Sequence, residues 1–185
     1  VEWAVFPKRF ADGDIFARHH IFPPDIIPLH FAAAAAAAKC AMDGRRVERV
    51  IFTGEHVDKN LTEAAVELST GVRYLGLSIE HGGEGLAHLL RRNYGVAAQL
   101  FYKPEQVEPG DFILSFSEKG SWQNSAGQCL PLWDPSLKFR FRLPEALEIG
   151  TVDEEQLIAL LYAARALKKE QLEVVSIFRN DGEKE

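Results

Sequence analysis

Between Val47 and Ser117 short β-branched and aromatic runs alternate with stretches of helical periodicity, and few chain folds satisfy that alternation. Val47 and Arg49-Val50-Ile51-Phe52 read as a strand that ends at Thr53-Gly54. Asn60 to Ser69 read as a helix, with Asn60 as cap, Glu63 three residues later, and Leu61, Ala64, Ala65 and Leu68 on one face. Thr70-Gly71 closes it. Val72 to Ile79 form a second strand. Gly82-Gly83-Glu84-Gly85 then leads into a helix from Leu86 to Asn93, closed by Gly95. Val96 to Tyr102 is a third strand, Glu108-Pro109-Gly110 a turn, and Phe112 to Phe116 a fourth strand. Strands separated by helices require a parallel sheet with right-handed crossovers. Their near-continuous apolar character fits burial on both faces.

The flanks complete one α/β domain over residues 1–185. Val1 to Pro23 is an extended segment rich in aromatics (Trp3, Phe6, Phe10, Phe16 and Phe22), with Asp12-Gly13-Asp14 as a turn. A helix opens at Pro24-Asp25 or at Pro28, as a first-turn proline, and runs to Asp43-Gly44. Alanine fills positions 32–38 of it, which predicts a packing helix that its neighbours approach closely. Lys119 to Ser136 is loop-rich. Lys138-Phe139-Arg140-Phe141-Arg142 alternates basic and aromatic residues, as a strand with one solvated face does. Thr151 to Lys168 is a helix with acids at its start and lysines at its end, expected to pack on the sheet. Leu172 to Phe178 is a last strand, and residues 179–185 form a frayed polar tail. The start at Val1 rather than Met reads as a processed product or a fragment.

Together these elements predict an α/β, Rossmann-like three-layer fold with a mainly parallel sheet, its βαβαβ-β core at residues 47–117. In such sheets ligands bind outside the carboxyl ends of the strands, where strand order reverses. Three loops should gather there: Thr53 to Lys59, Glu80 to Gly85 and Ser117 to Ser125. Gly82 and Gly83 permit close backbone approach, and the helix behind them offers free amides to an anion. Glu80 stands where this segment's resemblance to dinucleotide-binding folds implies an acid for ribose hydroxyls. The glycine fingerprint of those folds is missing, because Thr53-Gly54-Glu55-His56 carries a single glycine and an acid where pyrophosphate would lie. Lys119 could meet an anion, with Ser117 or Ser121 on its oxygens. His56 could act as a general base oriented by Glu55 or Asp58.

Several classes are set aside. The 185 residues include 21 Lys and Arg against 27 Asp and Glu, a net charge of −6, and show no concentrated basic face, so nucleic acid is not an expected partner. The longest apolar stretch, Ile26 to Ala38, is too short to span a bilayer. The two cysteines, Cys40 and Cys129, have no zinc spacing and are expected reduced, in a cytoplasmic protein. The histidines at 19, 20, 30, 81 and 88 show no chelating pattern, so no metal site is expected. Neither a phosphate-binding loop ending in Gly-Lys-Ser/Thr nor a GxSxG elbow occurs, and no motif specifies a cofactor.

The function expected is binding of a small anionic or nucleotide-like ligand through Gly54, His56, Glu80, Gly82, Gly83, Ser117 and Lys119. The alternative is a non-catalytic structural or protein-interaction module that kept the fold. A third reading is catalysis by His56 with Asp58. Any uncovered edge of the apolar stripe on the helix from Thr151 would make a homodimer contact.

Overall fold

The computed structural model describes residues 2–7, 10–45, 47–119, 122–142 and 150–179. The N-terminal segment holds strand β1 (Glu2–Trp3), helix α1 (Gly13–Arg18) and strand β2 (Ile21–Phe22), with β1 and β2 parallel. The Asp12-Gly13-Asp14 turn is thus the head of a short helix. Its tertiary reason is aromatic: Phe16 packs edge-on against Phe6 and Phe10, centroids 5.4 and 5.5 Å away.

The alanine-rich helix divides at Ala33 into α2 (Ile27–Ala32) and α3 (Ala34–Met42), with Pro28 in the first turn of α2. Ala34, Ala35, Ala37 and Ala38 are buried, as close packing against α3 requires.

The core follows as β3 (Arg49–His56), α4 (Lys59–Leu68), β4 (Tyr74–His81), α5 (Gly83–Tyr94), β5 (Ala98–Leu100), β6 (Asp111–Ser115) and β7 (Gln128–Pro131). The five strands form one parallel sheet in the order β5-β4-β3-β6-β7. Strand β7 lies in the stretch expected to be loop. Asp58, rather than Asn60, caps α4, its carboxylate accepting the Leu61 amide at 2.8 Å. Helix α5 begins at Gly83, three residues ahead of the sequence expectation.

The chain then makes β8 (Leu137–Phe141), α6 (Glu154–Ala163) and β9 (Val174–Arg179). Strands β8 and β9 form a separate antiparallel ribbon. Helix α6 packs chiefly on α2 and β8. Arg179 closes β9, and the rest of the expected tail, 180–185, lies outside the described residues.

Val50, Phe52, Leu75, Leu77, Phe112 and Leu114 join α2–α5 and the ribbon in the larger core. Ile51, Phe101, Val107, Ile113 and Trp122 form a second cluster. The consecutive Val50–Phe52 run is therefore buried on both faces of the sheet. The chain is α/β, with a five-stranded all-parallel sheet flanked by helices in a Rossmann-like three-layer arrangement. No helix among the described residues is long and apolar enough to cross a membrane.

Candidate functional site

Strand order reverses between β3 and β6, so a ligand crevice is expected at their carboxyl ends. That crevice is taken up by the protein's own side chains. The Ser117 hydroxyl donates to Glu55 Oε1 at 3.2 Å, and Lys119 Nζ lies 3.0 Å from Glu55 Oε2. Lys119 and Ser117 hold the Glu55 carboxyl below its usual range, and Glu55 in turn raises Lys119. The adjacent head of α4 is closed as well, because Asp58 already accepts the Leu61 amide. A pyrophosphate placed as in dinucleotide-binding folds would meet two carboxylates there, and a helix head already capped.

The open space lies one strand further along. The last register pair between β4 and β5 is Leu77 with Leu100, but β4 continues to His81. Among the described residues Ser78 to His81 therefore have no partner strand on that side. A cleft of about 750 Å³ opens there, lined by Ser78, Glu80, the Gly82–Gly85 run, Phe101, Tyr102, Lys119 and Trp122 among others.

Polar groups without partners among the described residues lie in this cleft or beside it. The first amides of α5, like those of any helix, lack intrahelical partners, and among the described residues no side chain caps them. Gly82 sits at φ +91°, where a side chain is strained, and a Cβ there would also come within 3.2 Å of Val57. Neither the Glu80 carboxylate nor the Ser78 hydroxyl makes a hydrogen bond or ion pair among the described residues. Beside Ser78 in the sheet register lies Thr53, and Ser115 flanks it on the other side. Thr53 is 1% exposed, and its hydroxyl has no partner among the described residues.

Gly54, Glu80, Gly82, Gly83 and Lys119 all line the cleft. His56 and Ser117 do not. His56 stacks on His81 with ring centroids 4.9 Å apart, and Ser117 serves Glu55. Asp58 spends its carboxylate on the cap of α4. Ser121 lies outside the described residues. Sequence reasoning missed Ser78, Phe101, Tyr102 and Trp122. The available signal was register: β4 and β5 are neighbours, so the end of β5 had to be read with the end of β4. No group of three or more His, Cys, Asp or Glu among the described residues could hold a metal ion.

The fold and this cleft define an α/β protein with a ligand-sized recess at a carboxyl strand edge. No family model, curated protein or solved structure matches the chain.

Proposed function

We propose that this protein binds a small anionic or nucleotide-like ligand in the cleft beside β4. The observation that carries the reading is the convergence of Ser78, Glu80 and the head of α5, which have no side-chain partners among the described residues, on a recess of about 750 Å³, within the usual size range of small-molecule sites. The uncapped head of α5 supplies amides for a phosphate or carboxylate, and the glycines let it approach the backbone. Lys119 lies at the rim with its ammonium already paired to Glu55, and an incoming anion would share it. Glu80 and Ser78 suit hydroxyl groups, one as acceptor and one as donor and acceptor. Glu80 and Glu84 both lie on the rim and disfavour a bare polyanion, so a ligand carrying hydroxyls beside its charge fits best. Two free thiols, Cys40 and Cys129, support a cytoplasmic setting.

The test is a thermal-shift panel of nucleotides, sugar phosphates and carboxylates, repeated on Glu80→Gln and Lys119→Ala. A ligand at about a hundred times its Kd adds roughly 2.7 kcal/mol, a shift of several degrees for a domain of this size. A hit weakened in both variants supports the reading. A silent panel, or hits unmoved by both variants, overturns it.

A second reading has one observation behind it. Trp3, Ile15 and Phe22 are exposed on the N-terminal segment, beside a recess of about 440 Å³ lined by Phe6, Phe10 and Phe22. Exposed apolar surface of this kind suits a protein-interaction module.

A further inference from the structure

Tyr102 is 72% exposed, yet its backbone is held in place. The amides of Tyr102 and Lys103 both donate to Gln106 Oε1, at 2.9 and 3.1 Å. One residue earlier the Phe101 amide donates to the Leu77 carbonyl at 2.7 Å, and the Phe101 ring is buried. A large ring on a fixed stem, left uncovered at a cleft wall, is preorganised for contact at low entropic cost. The same cleft is lined by Glu80 and Ser78, whose side chains make no hydrogen bond or close ion pair among the described residues. The recess therefore offers a flat aromatic surface and hydroxyl-binding groups within one ligand's reach.

We propose that Tyr102 is the platform on which the flat ring of a ribonucleoside monophosphate stacks, while Glu80 and Ser78 take its sugar hydroxyls. This rests on the ligand-binding reading above and names the class of ligand. It makes Tyr102 the residue that separates nucleotides from sugar phosphates. Stacking on an aromatic side chain tolerates any base, so discrimination among the four bases is weak.

The experiment is calorimetric titration of the full chain with the four ribonucleoside 5′-monophosphates, ribose 5-phosphate and inorganic phosphate. Tyr102→Ala and Tyr102→Phe are titrated alongside, with melting curves to confirm that both fold. The expected result is monophosphate binding about tenfold or more tighter than ribose 5-phosphate. Tyr102→Ala removes that difference and leaves ribose 5-phosphate unchanged, and Tyr102→Phe keeps it. Equal affinity for ribose 5-phosphate and the monophosphates, or full monophosphate affinity in Tyr102→Ala, overturns the platform and leaves the ligand-binding reading standing. Binding of none of the probes overturns the platform, and the wider thermal-shift panel then decides the ligand-binding reading.

Discussion

The His30 imidazole and the Glu155 carboxylate, 125 positions apart in sequence, meet at 2.8 Å in the closed interior. His30 is fully buried, and its other ring nitrogen lies 3.1 Å from the Leu132 carbonyl. Glu155 Oε1 also accepts the Phe139 amide at 2.8 Å, and Lys138 Nζ lies 3.1 Å from Oε2. One buried contact thus joins α2, the turn after β7, β8 and α6. It ties the C-terminal unit to the alanine-rich helices. Removing one partner of a buried pair leaves the other uncompensated, which costs about 3–5 kcal/mol. Glu155→Ala should lose about that much in urea denaturation, and His30→Ala less, because the Phe139 amide and Lys138 still serve Glu155. A loss under about 1 kcal/mol in both would show that the pair does not hold the two units together.

The same carboxyl sets a pH dependence. Burial pushes Glu155 up, but hydrogen bonds from His30 and the Phe139 amide, with the charges of His30 and Lys138, outweigh it and hold the group below 4.5. A carboxyl with a depressed folded value stabilises the fold above its unfolded value, near 4.5. That stability is lost as pH falls through the folded value. Stability should therefore decline on the acid side below about pH 4.5, and Glu155→Gln should flatten that limb. Denaturation midpoints from pH 3 to 7 would check it. An unchanged acid slope in the variant would remove Glu155 from the account.

Asp58 supplies a local test. Its carboxylate caps α4 at 2.8 Å and leaves that helix head unavailable to a ligand. Asp58→Ala should cost about 1 kcal/mol of stability. It should not weaken any ligand held in the cleft beside β4. Combined denaturation and binding measurements would separate the roles, and a large loss of binding with unchanged stability would contradict the cap assignment.

How far the sequence foretells this molecule depends on where each signal resides. Strands β3, β4 and β6 were legible because Val50–Phe52, Leu75–Leu77 and Phe112–Leu114 are buried runs, and burial on both faces writes itself as continuous apolarity. Strand β7 was not, since Gln128-Cys129-Leu130-Pro131 owes its conformation to pairing with β6. Gly83 and Gly85 have poor helix propensity, so the head of α5 read as a connection. The structure draws Gly83 into the helix, where a Cβ would lie 3.4 Å from Ile79. For the site, the glycines and Glu80 were visible as a local motif. Tyr102 was absorbed into an expected strand that in fact stops at Leu100. His30 carried no local hint of Glu155.

Cysteine reactivity follows from burial. Cys129 is pushed up to about 11 by desolvation, opposed only in part by Arg179, and burial followed by the charge of Asp43 raises Cys40. The thiolate is the reactive species, so at pH 8 Cys129 carries roughly a hundredfold less of it than an ordinary thiol. Iodoacetamide labelling read by peptide mass should modify Cys129 slowly in the native protein and quickly in urea. Fast native labelling would show that the second face of the sheet opens readily.

Gly76 connects core packing to the cleft. It lies in β4 between Leu75 and Leu77, and a Cβ on it would come within 2.9 Å of both Ile51 Cγ1 and Phe101 Cε2. Both neighbours resist displacement. Ile51 is fully buried in the central strand, and the amide of Phe101 is bonded to Leu77. Overpacking of this kind typically costs about 1–3 kcal/mol. The Phe101 ring is the softer of the two, because it belongs to a connection rather than to the central strand. Gly76→Ala should therefore displace Phe101 and carry Tyr102 with it. The expected outcome is a loss of about 1–3 kcal/mol in denaturation together with weaker monophosphate binding, ribose 5-phosphate being less affected. Loss of stability with undisturbed nucleotide affinity would mean that Ile51 yields instead and that the cleft wall is independent of the sheet beneath it.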